Sequence, residues 1–150
     1  MNVPITLSCP RETDIPSILS ILDVCRDSLP QLSQQGLPAL LLRNARRGSA
    51  LIAKEDRNTI GVCVWSPVLR RISLLAVIPA ARGKGIASAL LDEALRRMPP
   101  GDVFVETFRE DDIRGTAALA LAFYRKYGFQ KAGLLDGFTV PMQKLRLCRE

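Results

Sequence analysis

The chain has 150 residues, of which 47% are hydrophobic and 24% charged; that suffices for one buried core and excludes a mainly disordered chain. Ten Gly and ten Pro fall without a period, which excludes collagen-like and low-complexity classes, and no internal repeat is visible. The net charge of +6 invites a polyanion, either nucleic acid or a phosphorylated cofactor, without choosing between them.

In chain order, Ile5 to Ser8 reads as a short strand. Thr13 or Asp14 can cap a helix with Pro16 in its first turn, where a missing N–H costs nothing. Ile15, Ile18, Leu19, Leu22 and Cys25 then recur at helical spacing as one apolar stripe. Leu29 to Gly36 is a polar linker. A second helix is expected from about Leu37-Pro38 to Gly48, with Arg43, Arg46 and Arg47 in its last turns, where cations suit the dipole. Ala50 to Ala53, Thr59 to Trp65 and Ile72 to Val77 are β-like runs. A turn at Asp56-Arg57-Asn58 joins the first two, which suggests an antiparallel meander. Pro79 to Gly85 is a loop. Ile86, Leu90, Leu91, Ala94, Leu95 and Met98 form a helical stripe, ended by Pro99-Pro100-Gly101. Val103 to Phe108 is another strand. An acidic loop, Glu110-Asp111-Asp112, precedes a helix from about Thr116 to Tyr127, closed by Gly128. Phe129 to Leu134 and Phe138 to Leu147 make a last strand pair around Asp136-Gly137. The order β-α-α-β-β-β-α-β-α-β-β implies one α/β domain over residues 1–150 with a mixed sheet.

The longest apolar runs, Leu37 to Leu42 and Ala117 to Tyr124, fall far short of the roughly 20 residues a spanning helix needs. The N-terminus carries Glu12 and Asp14 early and does not read as a secretory signal. A cytoplasmic location without a membrane partner is the expectation. Cys9, Cys25, Cys63 and Cys148 are scattered, and the chain has no His. No metal site is therefore expected, and Ser-His-Asp and Cys-His mechanisms are excluded. Small apolar thiols in a reducing compartment are the simpler reading of the cysteines.

The informative stretch runs from Leu75-Ala76-Val77 through Pro79 to Arg82-Gly83-Lys84-Gly85-Ile86-Ala87-Ser88. It reads as a strand, a glycine-rich turn and a helix start. Such a turn aims free backbone N–H groups and the positive helix end at one point, which suits a phosphate or diphosphate. Gly83 and Gly85 let the backbone approach a ligand, Ala87 keeps the helix start slim, and Arg82 and Lys84 add charge. A Walker A loop fails here, because Ile78 stands where its first Gly would be and Gly85 where Ser or Thr would be. A dinucleotide fingerprint beginning Gly83-x-Gly85 ends on Ser88 instead of Gly.

Arg82-x-x-Gly85-x-Ala87 resembles the Q/R-x-x-G-x-G/A signature of the GNAT superfamily of N-acetyltransferases. Ala120 to Phe129, with Tyr124 and Tyr127-Gly128-Phe129, is similar to that family's second signature. Ile5-Thr6-Leu7 and Thr13 to Leu19 look like its first strand and helix, so the resemblance spans nearly the whole chain. It implies a single-domain GNAT fold with a mixed, mostly antiparallel sheet and helices on both faces. It implies acetyl-CoA as cosubstrate. The strand matching Leu75, Ala76 and Val77 would pair with the pantetheine arm, and Gly83 to Ser88 would hold the diphosphate. Two parallel strands, Ile72 to Val77 and Val103 to Phe108, would splay apart to admit the cofactor. The Val77 N–H or its neighbour would polarise the thioester carbonyl.

Acetyl transfer to an amine needs a neutral amine, donors for the oxyanion, and a proton for the departing thiolate. Tyr124 matches the family position that serves the thiolate; the competing reading is a core ring beside Phe123. Tyr127 is the fallback, read as structural. Glu106, a carboxylate in the apolar strand Val103 to Phe108, is the candidate general base; the competing readings are a solvent-facing group or an Arg partner. Glu110 to Asp112 either attract a cationic amine or simply complement a helix dipole. Arg125 and Lys126 either reach the cofactor's ribose phosphate or are exposed charges on a last helical turn.

The sequence reading is thus an N-acetyltransferase that moves an acetyl group from acetyl-CoA to a primary amine on a small molecule or peptide. Direct attack in a ternary complex is expected, because no Cys falls within the recognised segments. A homodimer is in keeping with the family, and no nucleic-acid partner is expected. The alternative is a non-catalytic acyl-CoA-binding regulatory domain, left open by Ala117 where the family often carries Asn.

Overall fold

The computed structural model describes residues 4–25, 36–108, 117–135 and 142–149. The elements run β1 (Ile5–Ser8), α1 (Ile15–Val24), α2 (Leu37–Arg47), β2 (Ala50–Glu55), β3 (Asn58–Ser66), β4 (Arg71–Val77), α3 (Ile86–Arg97), β5 (Val103–Phe108), α4 (Ala117–Tyr127), β6 (Gln130–Leu135) and β7 (Met142–Leu147). This is the order expected from the sequence. The polar linker up to Gln35, the acidic loop at 110–112 and the turn at Asp136-Gly137 lie outside the described residues.

One seven-stranded sheet carries the fold in the order β1-β2-β3-β4-β5-β7-β6. Every neighbouring pair is antiparallel except β4 and β5. The last hairpin is folded back so that β7, not β6, pairs with β5. Period-two alternation divides the strand residues between two cores. Ile52, Val62, Val64, Leu74 and Ala76 face α1 and α2, while Leu51, Cys63, Trp65, Ile72, Val103, Val105 and Leu145 face α3 and α4. Helices therefore cover both faces. Gly61 lets α3 sit close to β3: a Cβ there would meet Leu90 Cδ1 at 3.1 Å and the Ala76 carbonyl at 3.3 Å.

The helix ends follow their sequence signals in most places. Gly36 and Gly48 flank α2 with φ of 77° and 76°, a left-handed backbone that Gly adopts without a Cβ penalty. Asp14 departs from its expected role. It stands at the N-cap of α1, but its side chain makes no capping hydrogen bond. Its carboxylate instead accepts the Arg11 N–H at 2.8 Å and pairs with Lys54 Nζ on β2 at 3.0 Å.

The feature that positions the site is the parting of β4 from β5. The two strands pair only at Arg71 with Phe104 and Ile72 with Val105. Just beyond, the β3–β4 register slips: Val64 faces Leu74, but Trp65 faces Ile72, leaving Ser73 as an extra residue on β4. Such a bulge bends its strand and re-aims the residues after it. From there β4 keeps its bonds to β3 and leaves β5. The expected splay of the two parallel strands is present.

Candidate active site

The split opens into a cleft of about 350 Å³ walled by four parts of the chain. Leu75, Ala76 and Val77 of β4 form one side, and Arg82, Gly83, Gly85, Ile86, Ala87 and Ser88 form the end at the start of α3. Leu119, Ala120, Phe123 and Tyr124 of α4 form the opposite side, and Cys25 at the C-terminus of α1 closes it.

Strand alternation sets what β4 offers. The Ile78 N–H donates to the Ile60 carbonyl of β3 at 3.0 Å. The N–H and C=O of Val77 therefore turn to the other edge, toward the split. At the α3 end, Gly83 and Gly85 have φ of 81° and 79°, and a Cβ at either would meet nothing within 4 Å. The glycines are thus required by backbone conformation, and they leave the turn open. Gly85 is the N-cap of α3, without a side-chain cap and without an acidic residue in the first turn. The first N–H groups of α3 are left to an outside acceptor, at the positive end of the helix.

Tyr124 reaches the cleft from α4 and is 93% buried, at 7% relative exposure. Its ring stands edge-on to Phe123 and Phe129, at 5.1 and 5.3 Å between centroids. Burial, with a smaller contribution from the Cys63 thiol, raises its pKa above the usual tyrosine value. Tyr127 is engaged elsewhere: its hydroxyl donates to the Asp92 carboxylate at 2.5 Å, and it does not line the cleft.

Two residues expected at the site stand apart from the cleft wall. Lys84 Nζ turns to Glu55 Oε2 at 3.8 Å. Glu106 lies on the sheet face opposite Val103 and Val105, with Oε1 3.7 Å from Arg71 Nη1. It thus spans β4 and β5 at the rungs after which they part.

Arg82 does line the cleft, but its guanidinium is bent back rather than aimed at the open turn. Nε donates to the Val77 carbonyl at 3.1 Å, and Nη2 stands 3.9 Å from Cys25 Sγ. Cys25 lies outside the segments that the sequence marks for the site, yet it lines the cleft. Its Sγ donates to the same Val77 carbonyl at 3.5 Å. Burial raises its pKa, and Arg82 offsets that only in part. The periodicity of α1 marks Cys25 as buried, but no local signal says that it meets residues 52 positions later. Phe123 and Ala120 carry a fainter signal, since they share a helical face with Tyr124.

The model of the acetyltransferase (GNAT) domain family matches residues 46–131. N-alpha-acetyltransferase RimI of Mycobacterium tuberculosis (strain ATCC 25618 / H37Rv) is 33% identical over 90 residues, which are 60% of this chain and 52% of that protein. The match spans about half the length of that relative. A GNAT-family acetyltransferase of Bacillus cereus ATCC 10987 superposes with a TM-score of 0.77 at 20% identity, covering 98% of this chain and 99% of that one. The PaiA N-acetyltransferase of Thermoplasma acidophilum, solved in complex with coenzyme A, superposes with a TM-score of 0.69 at 16% identity, covering 97% of this chain and 99% of the other. The chain belongs to the GNAT acetyltransferase family.

Proposed function

We propose that this chain, as one domain over residues 1–150, binds acetyl-CoA in the split between β4 and β5 and transfers its acetyl group to a primary amine. The observation that carries this reading is the split itself, which runs from the uncapped N-terminus of α3 to the hydroxyl-bearing wall of α4. The lining, with the uncapped start of α3 at one end and mostly apolar side chains along the walls, suits a ligand with an anionic end and an apolar arm. The T. acidophilum structure with coenzyme A gives independent support.

In this reading the N–H groups of Gly83, Gly85, Ile86, Ala87 and Ser88 hold the diphosphate, with Lys84 adding charge nearby. The edge of β4 at Leu75, Ala76 and Val77 pairs with the pantetheine amides as a missing β5 would. Bound there, acetyl-CoA supplies an activated thioester. The Val77 N–H polarises its carbonyl. Glu106 takes a proton from the amine as the C–N bond forms, and Tyr124 gives its proton to the sulfur as the C–S bond breaks. Attack is direct, since Cys25 is held as a buried thiol, and a thiol is a poor nucleophile.

A second reading, an acyl-CoA-binding domain without turnover, draws on the distance of Glu106 from the cleft wall and its pairing with Arg71. Calorimetric titration with acetyl-CoA, with adenosine 3′,5′-bisphosphate as control, tests both together. Micromolar binding that needs the intact cofactor is expected, and amine acceptors are then screened for turnover. Failure to bind at millimolar acetyl-CoA overturns both readings; binding with no transfer to any amine leaves the second.

A further inference from the structure

We infer that Arg82 is a positioning residue: it clamps the Val77 carbonyl to the C-terminus of α1 and so sets the β4 edge that a pantetheine arm would meet. This rests on the acetyl-CoA reading for its consequence, but the clamp itself stands on geometry. Three contacts converge. Arg82 Nε lies 3.1 Å from the Val77 oxygen, Cys25 Sγ lies 3.5 Å from the same oxygen, and Arg82 Nη2 lies 3.9 Å from Cys25 Sγ. Cys25 is in turn fixed to its helix, its N–H donating to the Ile21 carbonyl at 3.0 Å.

The carbonyl in question is the one that strand alternation turns toward the split, beyond the last rung that β4 shares with β5 among the described residues. A backbone carbonyl in that position needs partners. Arg82 and Cys25 are those partners. Together they fix the plane of the peptide after Val77, at the last residue of β4. They also tie α1 to β4 at the point where the chain leaves α1. An arginine at this position is usually read as charge for a phosphate. Here its fork is spent on an oxygen and a sulfur at the pantetheine side of the cleft.

Charge and donor geometry are separable by substitution. In Gln, Nε2 is the same number of bonds from Cα as Nε in Arg, so Arg82→Gln keeps a donor for Val77 and loses the charge. Arg82→Lys keeps the charge and places a methylene where the donor was. The test is calorimetry with two probes: acetyl-CoA, and 3′-phosphoadenosine 5′-diphosphate, which carries the diphosphate without the pantetheine. A second measurement is the rate at which iodoacetamide labels Cys25 in the ligand-free protein, read by mass spectrometry.

Arg82→Gln is expected to bind acetyl-CoA about as tightly as wild type and, although it loses the Nη2 contact to Cys25 Sγ, to label at Cys25 more slowly than Arg82→Lys. Arg82→Lys is expected to weaken acetyl-CoA by about tenfold, the size of one hydrogen bond to a charged donor. It should leave the diphosphate fragment unaffected and label faster at Cys25. Any other pattern overturns the assignment: Arg82→Lys matching wild type, Arg82→Gln failing alongside it, or the fragment weakening in step with acetyl-CoA. If the wild-type protein binds no acetyl-CoA, the function proposed above fails, and the Cys25 labelling rates of the two variants still decide whether the clamp exists.

Discussion

At the scale of single residues, Tyr124 shows how one environment serves packing and chemistry at once. Its ring stands edge-on to Phe123 and Phe129, and the residue lines the cleft. Removing water from around it raises its pKa above the ordinary value of 10.0, and the nearby Cys63 thiol, itself pushed up to about 12 by burial, adds to that. The phenol therefore keeps its proton through neutral and mildly alkaline pH, as a donor to a departing thiolate must. Tyr124→Phe keeps the ring and deletes the donor. It is expected to lower kcat by about 10²-fold or more while leaving acetyl-CoA affinity unchanged. Steady-state kinetics beside calorimetry would check this; an unchanged kcat returns Tyr124 to the role of a core aromatic. Residues 75 to 88 are legible in the sequence because they are local, a strand, a turn and a helix start read in one pass, whereas Tyr124 is reached only through the resemblance of Ala120 to Phe129 to the family. Cys25 was illegible for the opposite reason, being brought in by a contact across 52 positions. The true partner of Arg82 was hidden too, because a side chain's direction is set by packing and not by a motif.

Elements tell the same story with different limits. The helices and strands lie where their apolar periods put them, since burial of one face decides each in turn. Their arrangement was less legible. That β7 sits between β5 and β6, and that β4 carries an extra residue at Ser73, depend on pairings between distant segments. The corner between β1 and α1 is a smaller instance. Asp14 has the type and place of an N-cap, yet it ties this corner to β2 through Lys54 and to Arg11. Burial alone would raise its pKa; the Arg11 N–H and the Lys54 ammonium outweigh that and hold it below the usual 3.8. A carboxyl depressed in the folded state contributes stability above its unfolded pKa and loses it as pH falls through the folded value. Asp14→Asn is therefore expected to lower Tm at pH 7 by on the order of 2–4 °C. The difference between the two proteins should shrink below about pH 4. Thermal melts of both from pH 7 to pH 3 read this directly, and a gap that stays constant with pH would mean the carboxylate's charge is not what holds the corner.

For the whole molecule, the cleft is where both layers meet. Cys25 belongs to the core under α1 and α2, while Ile86 and Tyr124 belong to the core under α3 and α4, and all three line the same cavity. A ligand lying along β4 would thus contact elements of both layers, and its binding free energy would stabilise the fold as a unit. With free ligand at one hundred times Kd, the gain is about 2.7 kcal/mol. For a chain of this length that corresponds to a rise in Tm of roughly 5–10 °C. Acetyl-CoA is expected to produce such a rise in the wild-type protein. Gly85→Glu should abolish it, because φ of 79° disfavours a side chain and a carboxylate would stand at the N-terminus of α3. The strain alone costs about 1–2 kcal/mol, so this variant starts from a lower Tm, and the comparison is of shifts with ligand and not of absolute values. A shift that persists in Gly85→Glu would move the anionic end of the ligand away from this turn. Salt-dependent affinity for DNA that survives the same substitution would instead assign the net charge of +6 to a surface unrelated to the cleft.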